Sequence, residues 1–380
     1  MNIGLLGCGV VGGGVLALTQ DRSDIRVTRV LVRRPKEGLP EGAATCDVQD
    51  ILNDAAIDTV VEVMGGLHPA YEYVAAAMER GKHVVTANKA LIAAYYRELT
   101  ALAREKGVAL RYTAAVGGGI PWLVNLARCK RLDTVCAVGG IMNGTTNFIM
   151  DAMHKSPVDF PVILKEAQEL GYAEADPSAD IDGDDIRRKL CISANIAFDT
   201  VLDEETIPTF GIRTVTAADI AAFQAHGFVC KLLAAAERTD RGVCAYVEPT
   251  LVDCGEPEAA VPANYNLIGY VGEQVGRQSF FGQGAGRFPT ASNVVQDCLT
   301  ILAGDRAAYT DRVAPVALDL TAEAHPYYVR TGRPDAFLRS VAADTWGAGV
   351  VTGAVNTGEM LAWAKRQLSA DPACFIAGIR

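Results

Sequence analysis

The chain has 380 residues, half of them hydrophobic, and 35 Lys and Arg against 45 Asp and Glu give a net charge of −10. That length suits two or three domains around a large core, and the acidic balance argues against nucleic acid or an anionic membrane surface as a partner. No apolar window approaches the ~18 residues of a transmembrane helix, and Met1 and Asn2 lead directly into an apolar run, so no signal peptide is expected. The ten cysteines form no CxxC pair and the five histidines are dispersed. That fits reduced thiols in a cytoplasmic protein, not a disulfide framework or a transition-metal site.

Residues 3–6 read as a short buried strand, and Gly7-Cys8-Gly9-Val10-Val11-Gly12 follows at once before a helix opens. This is the G-x-G-x-x-G pattern in its strand–turn–helix setting. The first glycine makes the tight turn, the second admits a pyrophosphate, and the third packs helix on strand. The helix N-terminus adds free N–H groups. A second strand spans 25–32. At its end, where an NAD site usually has a carboxylate, stand Arg33-Arg34-Pro35-Lys36. Guanidinium groups suit a 2′-phosphate, which favours NADP over NAD; the other reading is a solvated basic turn. A strand from 59 ends in Gly65-Gly66, a helix covers 71–80, and the strand 83–86 ends in Ala87-Asn88-Lys89. That places Lys89 at the carboxyl end of a strand, where ligands bind in parallel sheets. A helix over 95–106 and a strand over 109–112 complete a doubly wound α/β unit.

Gly117-Gly118-Gly119 before Ile120-Pro121 impose an irregular backbone, suited to presenting carbonyls or amides to a ligand or to a simple interdomain turn. Beyond it the strict alternation of strand and helix gives way to a mixed order. A strand over 135–142 and a turn Asn143-Gly144-Thr145-Thr146-Asn147 lead into a helix over 148–154. Helices over 184–198 and 216–224 and sheet segments over 228–237 and 243–252 follow. The start of 228–235 is also compatible with helix. A second glycine-rich loop, 282–290, precedes a helix over 291–303 that returns to the nucleotide domain. The tail reads strand 327–331, helix 335–345, strand 349–355, helix 357–368, strand 374–379.

The most unusual stretch is 171–189. It carries Glu174, Asp176, Asp180, Asp182, Asp184 and Asp185, with no lysine before Lys189. Pro177 and Gly183 predict a loop first, and a helix beginning near Asp184 sets Asp185 and Lys189 on one face, four residues apart. A lysine beside a carboxylate at the exposed end of a buried helix makes an acid–base site. The plainer reading is an acidic surface loop and an ordinary ion pair. The spacing is not that of a calcium loop.

Taken together these motifs resemble homoserine dehydrogenase: Gly7 to Gly12, Thr86-Ala87-Asn88-Lys89-Ala90-Leu91, Ala115 to Pro121, Asn143 to Asn147, Gly171 to Lys189, and Gly284-Ala285-Gly286 with Pro289-Thr290-Ala291. The resemblance covers residues 3 to about 320. It implies a Rossmann-type doubly wound parallel sheet (1–126 with return segment 284–320), a second α+β catalytic and dimerisation domain (127–283), and a short degenerate ACT-like tail (321–380). It also implies NAD(P)-dependent interconversion of L-homoserine and L-aspartate 4-semialdehyde by a cytoplasmic homodimer or homotetramer.

By position, the resemblance makes Lys189 the proton donor and Asp185 its partner. Glu174 binds the substrate ammonium, Asp180 makes a polar contact nearby, and Lys89 lies near substrate and nicotinamide. It assigns cofactor contacts to Gly7, Gly9, Val10, Val11, Gly12, Arg33, Arg34, Thr86, Lys89, Gly119 and Gly286. In some members backbone oxygens, here of Thr113, Val116, Gly118 and Ile120, bind a monovalent cation such as Na+. Thr113 stands where the family commonly has Glu. The short tail lacks a clear Pro-Gly effector turn, so threonine feedback is not expected. The alternatives are a related amino-acid or semialdehyde dehydrogenase and a non-catalytic NADP-sensing protein.

Overall fold

The computed structural model describes residues 1–34, 38–310 and 314–380; Lys36 of the expected basic turn lies outside them. The chain divides into two units. One comprises Met1–Leu132, Asn195–Val201 and Gly282–Ala314, and the other Asp133–Ala194, Leu202–Phe281 and Pro315–Arg380. Five helices position the residues of interest: α1 (Val10–Thr19), α2 (Lys89–Ala94), α3 (Gly144–Lys155), α4 (Asp184–Phe198) and α5 (Arg287–Leu302).

The first unit is built on six strands, β1 (Asn2–Leu6), β2 (Arg26–Leu31), β3 (Ala44–Thr45), β4 (Thr59–Glu62), β5 (His83–Thr86) and β6 (Leu110–Arg111). Their order is β3-β2-β1-β4-β5-β6, and every pairing is parallel. The chain winds one way from β1 to β3 and the other way from β4 to β6. This leaves a crevice at the carboxyl ends of β1 and β4, where such sheets bind ligands. Ile3, Leu5, Val61 and Val85 are fully buried, as strands covered on both faces require. Val15 of α1 and Ala291, Val294 and Cys298 of α5 join the same core. α5 thus belongs to this unit, within the segment Gly282–Ala314.

The second unit holds a nine-stranded sheet. Its strands are β7 (Val135–Ile141), β8 (Phe228–Thr239), β9 (Gly242–Asp253), β10 (Tyr265–Gly272), β11 (Gly276–Gln283), β12 (Tyr327–Arg330), β13 (Ala342–Trp346), β14 (Gly349–Thr352) and β15 (Phe375–Ile379). They run in the order β11-β10-β7-β8-β9-β15-β12-β14-β13. Residues 228–239 are strand throughout, paired residue for residue with 242–253, which settles the helix alternative.

Two expectations are corrected here. The segment 321–380 is not a separate tail: β15 pairs in parallel with β9 through Thr250–Gly378 and Leu251–Ile379, and β12 pairs with β15. Its backbone groups complete the larger sheet. The helix expected over 335–345 stops at Val341, and 342–346 turns into the edge strand β13. A ladder partner in β14 decides this, and local propensity does not. Among the described residues no helix is long and apolar enough to cross a membrane.

Candidate active site

In the first unit the glycine loop does what its spacing implied. Gly7 has φ +99°, a conformation that favours glycine. A Cβ on Gly12 would sit 2.3 Å from the Gly7 carbonyl oxygen, whereas one on Gly9 would meet nothing within 4 Å. So Gly12 is fixed by packing and Gly9 faces open space. No side chain caps α1, and Val10 at its first turn is 68 % exposed. An uncapped N-terminus beside an open glycine and an exposed apolar side chain fits a dinucleotide pyrophosphate. Arg33 and Arg34 are exposed beyond β2.

The next loop is organised by a residue whose role the sequence did not reveal. Glu62 ends β4 fully buried and accepts hydrogen bonds from Met64 N (2.7 Å), Gly65 N (3.2 Å) and Thr86 Oγ1 (2.6 Å). Burial raises its carboxyl above the ordinary value, against the pull of those donors. Its signal was a lone carboxylate inside the apolar run Val60-Val61-Glu62-Val63. The Thr86 hydroxyl lies between Glu62 and the Asn88 amide N–H (2.9 Å) and so helps to shape the loop. Asn88 caps α2 through Leu91 N and donates to Gly66 O at 2.6 Å, which places Lys89 at the first turn of α2.

Gly119 is also accounted for by packing. Its Cβ would lie 2.7 Å from Pro289, and that of Gly118 2.4 Å from the Gly284 carbonyl oxygen. The two glycine-rich loops thus abut through their backbones, with Gly119 N donating to Gln283 O at 3.1 Å. Gly286, with φ +126°, opens α5 without a side-chain cap.

Of the backbone oxygens expected around a monovalent cation, Gly118 O and Ile120 O both accept from Asn293 Nδ2, at 2.6 and 3.0 Å. Thr113 N and Oγ1 are bound to the buried Asp297 carboxylate at 2.9 and 2.7 Å, and Thr113 O accepts from Val116 N.

In the second unit the acidic stretch sorts itself by partner. Asp176 receives Ser178 N at 3.1 Å and stabilises a turn. Asp182 forms a two-point pair with Arg213 at 2.8 and 2.6 Å, and Asp184 pairs with Arg187 at 3.1 Å. A short helix, Ser178–Ile181, stands where only loop was expected. Glu174 is exposed and Asp180 half-buried.

Asp185 and Lys189 lie one turn apart at the start of α4, 4 % and 7 % exposed. Lys189 Nζ is 2.7 Å from Asp185 Oδ2 and 2.7 Å from Met142 O. Asn143, at the end of β7, donates from Nδ2 to Asp185 Oδ2 (2.8 Å) and Asp180 Oδ1 (2.7 Å). The helix behind them is apolar: Ile186, Leu190, Cys191, Ile192 and Ala194 are fully buried. A buried, doubly held lysine–carboxylate pair is not the solvated surface pair of the plainer reading. A pair fixed in this way can give and take a proton. Of the five residues expected at the acid–base site, the structure brings Lys189, Asp185 and Asp180 together; Glu174 lies on the same stretch and Lys89 in the other unit.

Comparison with known proteins matches two family models to this chain. A family model described as "Homoserine dehydrogenase" matches residues 121–299 and one described as "Homoserine dehydrogenase, NAD binding domain" matches residues 7–113. The homoserine dehydrogenase of Bacillus subtilis is 38 % identical over 323 residues, 82 % of this chain and 75 % of its own. That of Synechocystis is 42 % identical over 317 residues, 80 % and 73 % of the two chains. The crystal structure of a homoserine dehydrogenase from Thiobacillus denitrificans superposes with a TM-score of 0.89 at 33 % identity, covering 100 % of this chain and 98 % of that one. A dinucleotide crevice at the β1–β4 switch point and a buried lysine–aspartate pair on α4 therefore sit within a chain that belongs to the homoserine dehydrogenase family.

Proposed function

We propose that this chain interconverts L-homoserine and L-aspartate 4-semialdehyde, with NADP favoured over NAD and Lys189 as the proton-transfer residue. The observation that carries the reading is Lys189 Nζ held at 2.7 Å by both Asp185 and Met142 O. The nicotinamide, when bound, gives or takes the hydride. In the reducing direction Lys189 gives a proton to the aldehyde oxygen as it becomes a hydroxyl, and in the oxidising direction it takes that proton back. Asp185 keeps the lysine cationic and oriented. Glu174, exposed on the preceding loop, holds the substrate ammonium by charge-assisted hydrogen bonding, and Asp180 contributes a polar contact beside it. Lys89 at the first turn of α2 serves the nicotinamide end of the substrate. Gly7, Gly9, Val10, Val11 and Gly12 receive the pyrophosphate, with Gly286 at the uncapped start of α5, and Arg33 and Arg34 receive the 2′-phosphate. The working form is a homodimer or homotetramer. The test is steady-state kinetics with homoserine and each cofactor. Turnover with homoserine, with NADP ahead of NAD in kcat/KM, is expected; absence of homoserine turnover with either cofactor overturns the reading.

A further inference from the structure

We infer that Asn143 is a positioning residue for proton transfer, beyond its visible work as a helix cap. It is 4 % exposed and sits where β7 passes into α3. Its Oδ1 accepts from Thr146 N at 2.8 Å, the ordinary N-cap bond. That bond fixes the plane of the carboxamide and turns Nδ2 the other way. Nδ2 then donates one hydrogen to Asp180 Oδ1 at 2.7 Å and the other to Asp185 Oδ2 at 2.8 Å. The residue before it, Met142, offers its carbonyl to Lys189 Nζ at 2.7 Å. One dipeptide thus holds three side chains from two other elements, the short helix Ser178–Ile181 and α4.

The chemistry requires this residue type. Asp180 and Asp185 share one small region, and two neighbouring carboxylates resist simultaneous ionisation. A neutral amide has two N–H donors and one acceptor in a fixed plane. It binds both carboxylates without adding charge while its oxygen stays on the helix end. With Asn143 in place both carboxylates have a donor that favours their ionised forms, and Lys189 keeps its direction. Aspartate is as good a helix cap, but it has no donor and would set a third carboxylate against the two. Serine also caps, yet its single hydroxyl cannot bridge both.

This rests on the reading of Lys189 and Asp185 as the acid–base pair, and the variants separate the two claims. Asn143→Asp and Asn143→Ser preserve the cap bond from Thr146 N, so both should keep α3 capped, and their unfolding temperatures report what the lost amide donors cost. Both should lose at least tenfold in kcat for homoserine oxidation, Asn143→Asp the more, with cofactor KM unchanged. In Asn143→Ser the acid limb of the kcat profile should move to higher pH, because Asp185 has lost a donor that favoured its ionised form. If Asn143→Asp does not fold, Asn143→Ser carries the comparison. Wild-type kcat and pH profile in a folded Asn143→Asp or Asn143→Ser, with damage only in Asn143→Ala, would mean that capping is the whole role and would overturn the inference. Lys189→Ala with undiminished kcat would instead remove the acid–base reading, and this inference with it.

Discussion

Separating Asp185 from Lys189 tests the site most sharply, because the two single variants should fail in opposite ways. Both groups are almost entirely buried, at 4 % and 7 % exposure, and 2.7 Å apart. Removing one partner of a buried pair strands the other charge, at a cost of about 3–5 kcal/mol. A second route gives the same size. A stranded Lys189 escapes by losing its proton, at about 1.36 kcal/mol per pH unit between pH 7 and the ordinary lysine value near 10.4, or roughly 4.6 kcal/mol. A stranded Asp185 escapes by gaining one between about 3.9 and pH 7, or roughly 4.2 kcal/mol.

The signs then differ. In Asp185→Ala the unfolded chain keeps a proton that the folded chain sheds, so stability relative to wild type should rise with pH between about 7 and 10. In Lys189→Met the folded chain keeps a proton that the unfolded chain sheds, so relative stability should fall between about pH 4 and 7. Lys189→Met should also lower kcat by about 10²–10⁴. Urea unfolding across this pH range, with the double variant Asp185→Leu/Lys189→Met less destabilised than either single one, checks the energetics; homoserine turnover checks the chemistry. Costs under about 1 kcal/mol in both single variants, or slopes of the same sign, would refute the account of a buried, mutually dependent pair.

Three further outcomes are expected. Glu174→Gln should raise KM for homoserine and leave cofactor KM nearly unchanged, since a lost ammonium contact removes mainly ground-state binding; movement of cofactor KM alone would refute the assignment. Arg33→Ala or Arg34→Ala should shrink an NADP preference of about tenfold or more by weakening NADP, each charge-assisted bond contributing roughly 1.5–3 kcal/mol. Equal Kd and kcat/KM for both cofactors in the wild type would make this a plain solvated turn. The third concerns His325, whose Nε2 lies 2.9 Å from Glu248 Oε1 in the interior. Burial pulls its pKa down, but the bond to Glu248 and the neighbouring Glu323 carboxylate, 3.6 Å away, outweigh burial and lift it from 6.5 to about 9. A raised histidine stabilises fully below its unfolded value, so stability should be lost as pH rises from 6.5 to about 9, by at most roughly 3.4 kcal/mol. His325→Gln should flatten that loss in denaturant titrations, and an unchanged slope would count against it.

What could be read early and what could not divide along physical lines. The dinucleotide turn was legible because its requirements are local: a positive φ at Gly7 and room for no side chain at Gly12 are properties of a few consecutive residues. The Asp185–Lys189 pair was legible because helical spacing alone puts residues four apart on one face. The Thr86 hydroxyl's bond to Glu62 was not legible, because Glu62 lies 24 residues earlier in the chain and only the β4–β5 pairing brings them together. The Asn293 bonds to Gly118 O and Ile120 O were hidden for the same reason: Asn293 lies more than 170 residues from the carbonyls it serves.

The sequence by itself thus determined the class of the first unit, the glycine loop, the Asp185–Lys189 pairing and the family, all written in short-range spacing and residue type. Only the tertiary structure decided that residues 321–380 complete the nine-stranded sheet, that 342–346 is a strand, and that Asn143 joins Asp180 to Asp185. Each depends on a hydrogen-bonding partner far away in the chain, and a backbone group or a carboxamide has no way of declaring its partner until the chain has folded.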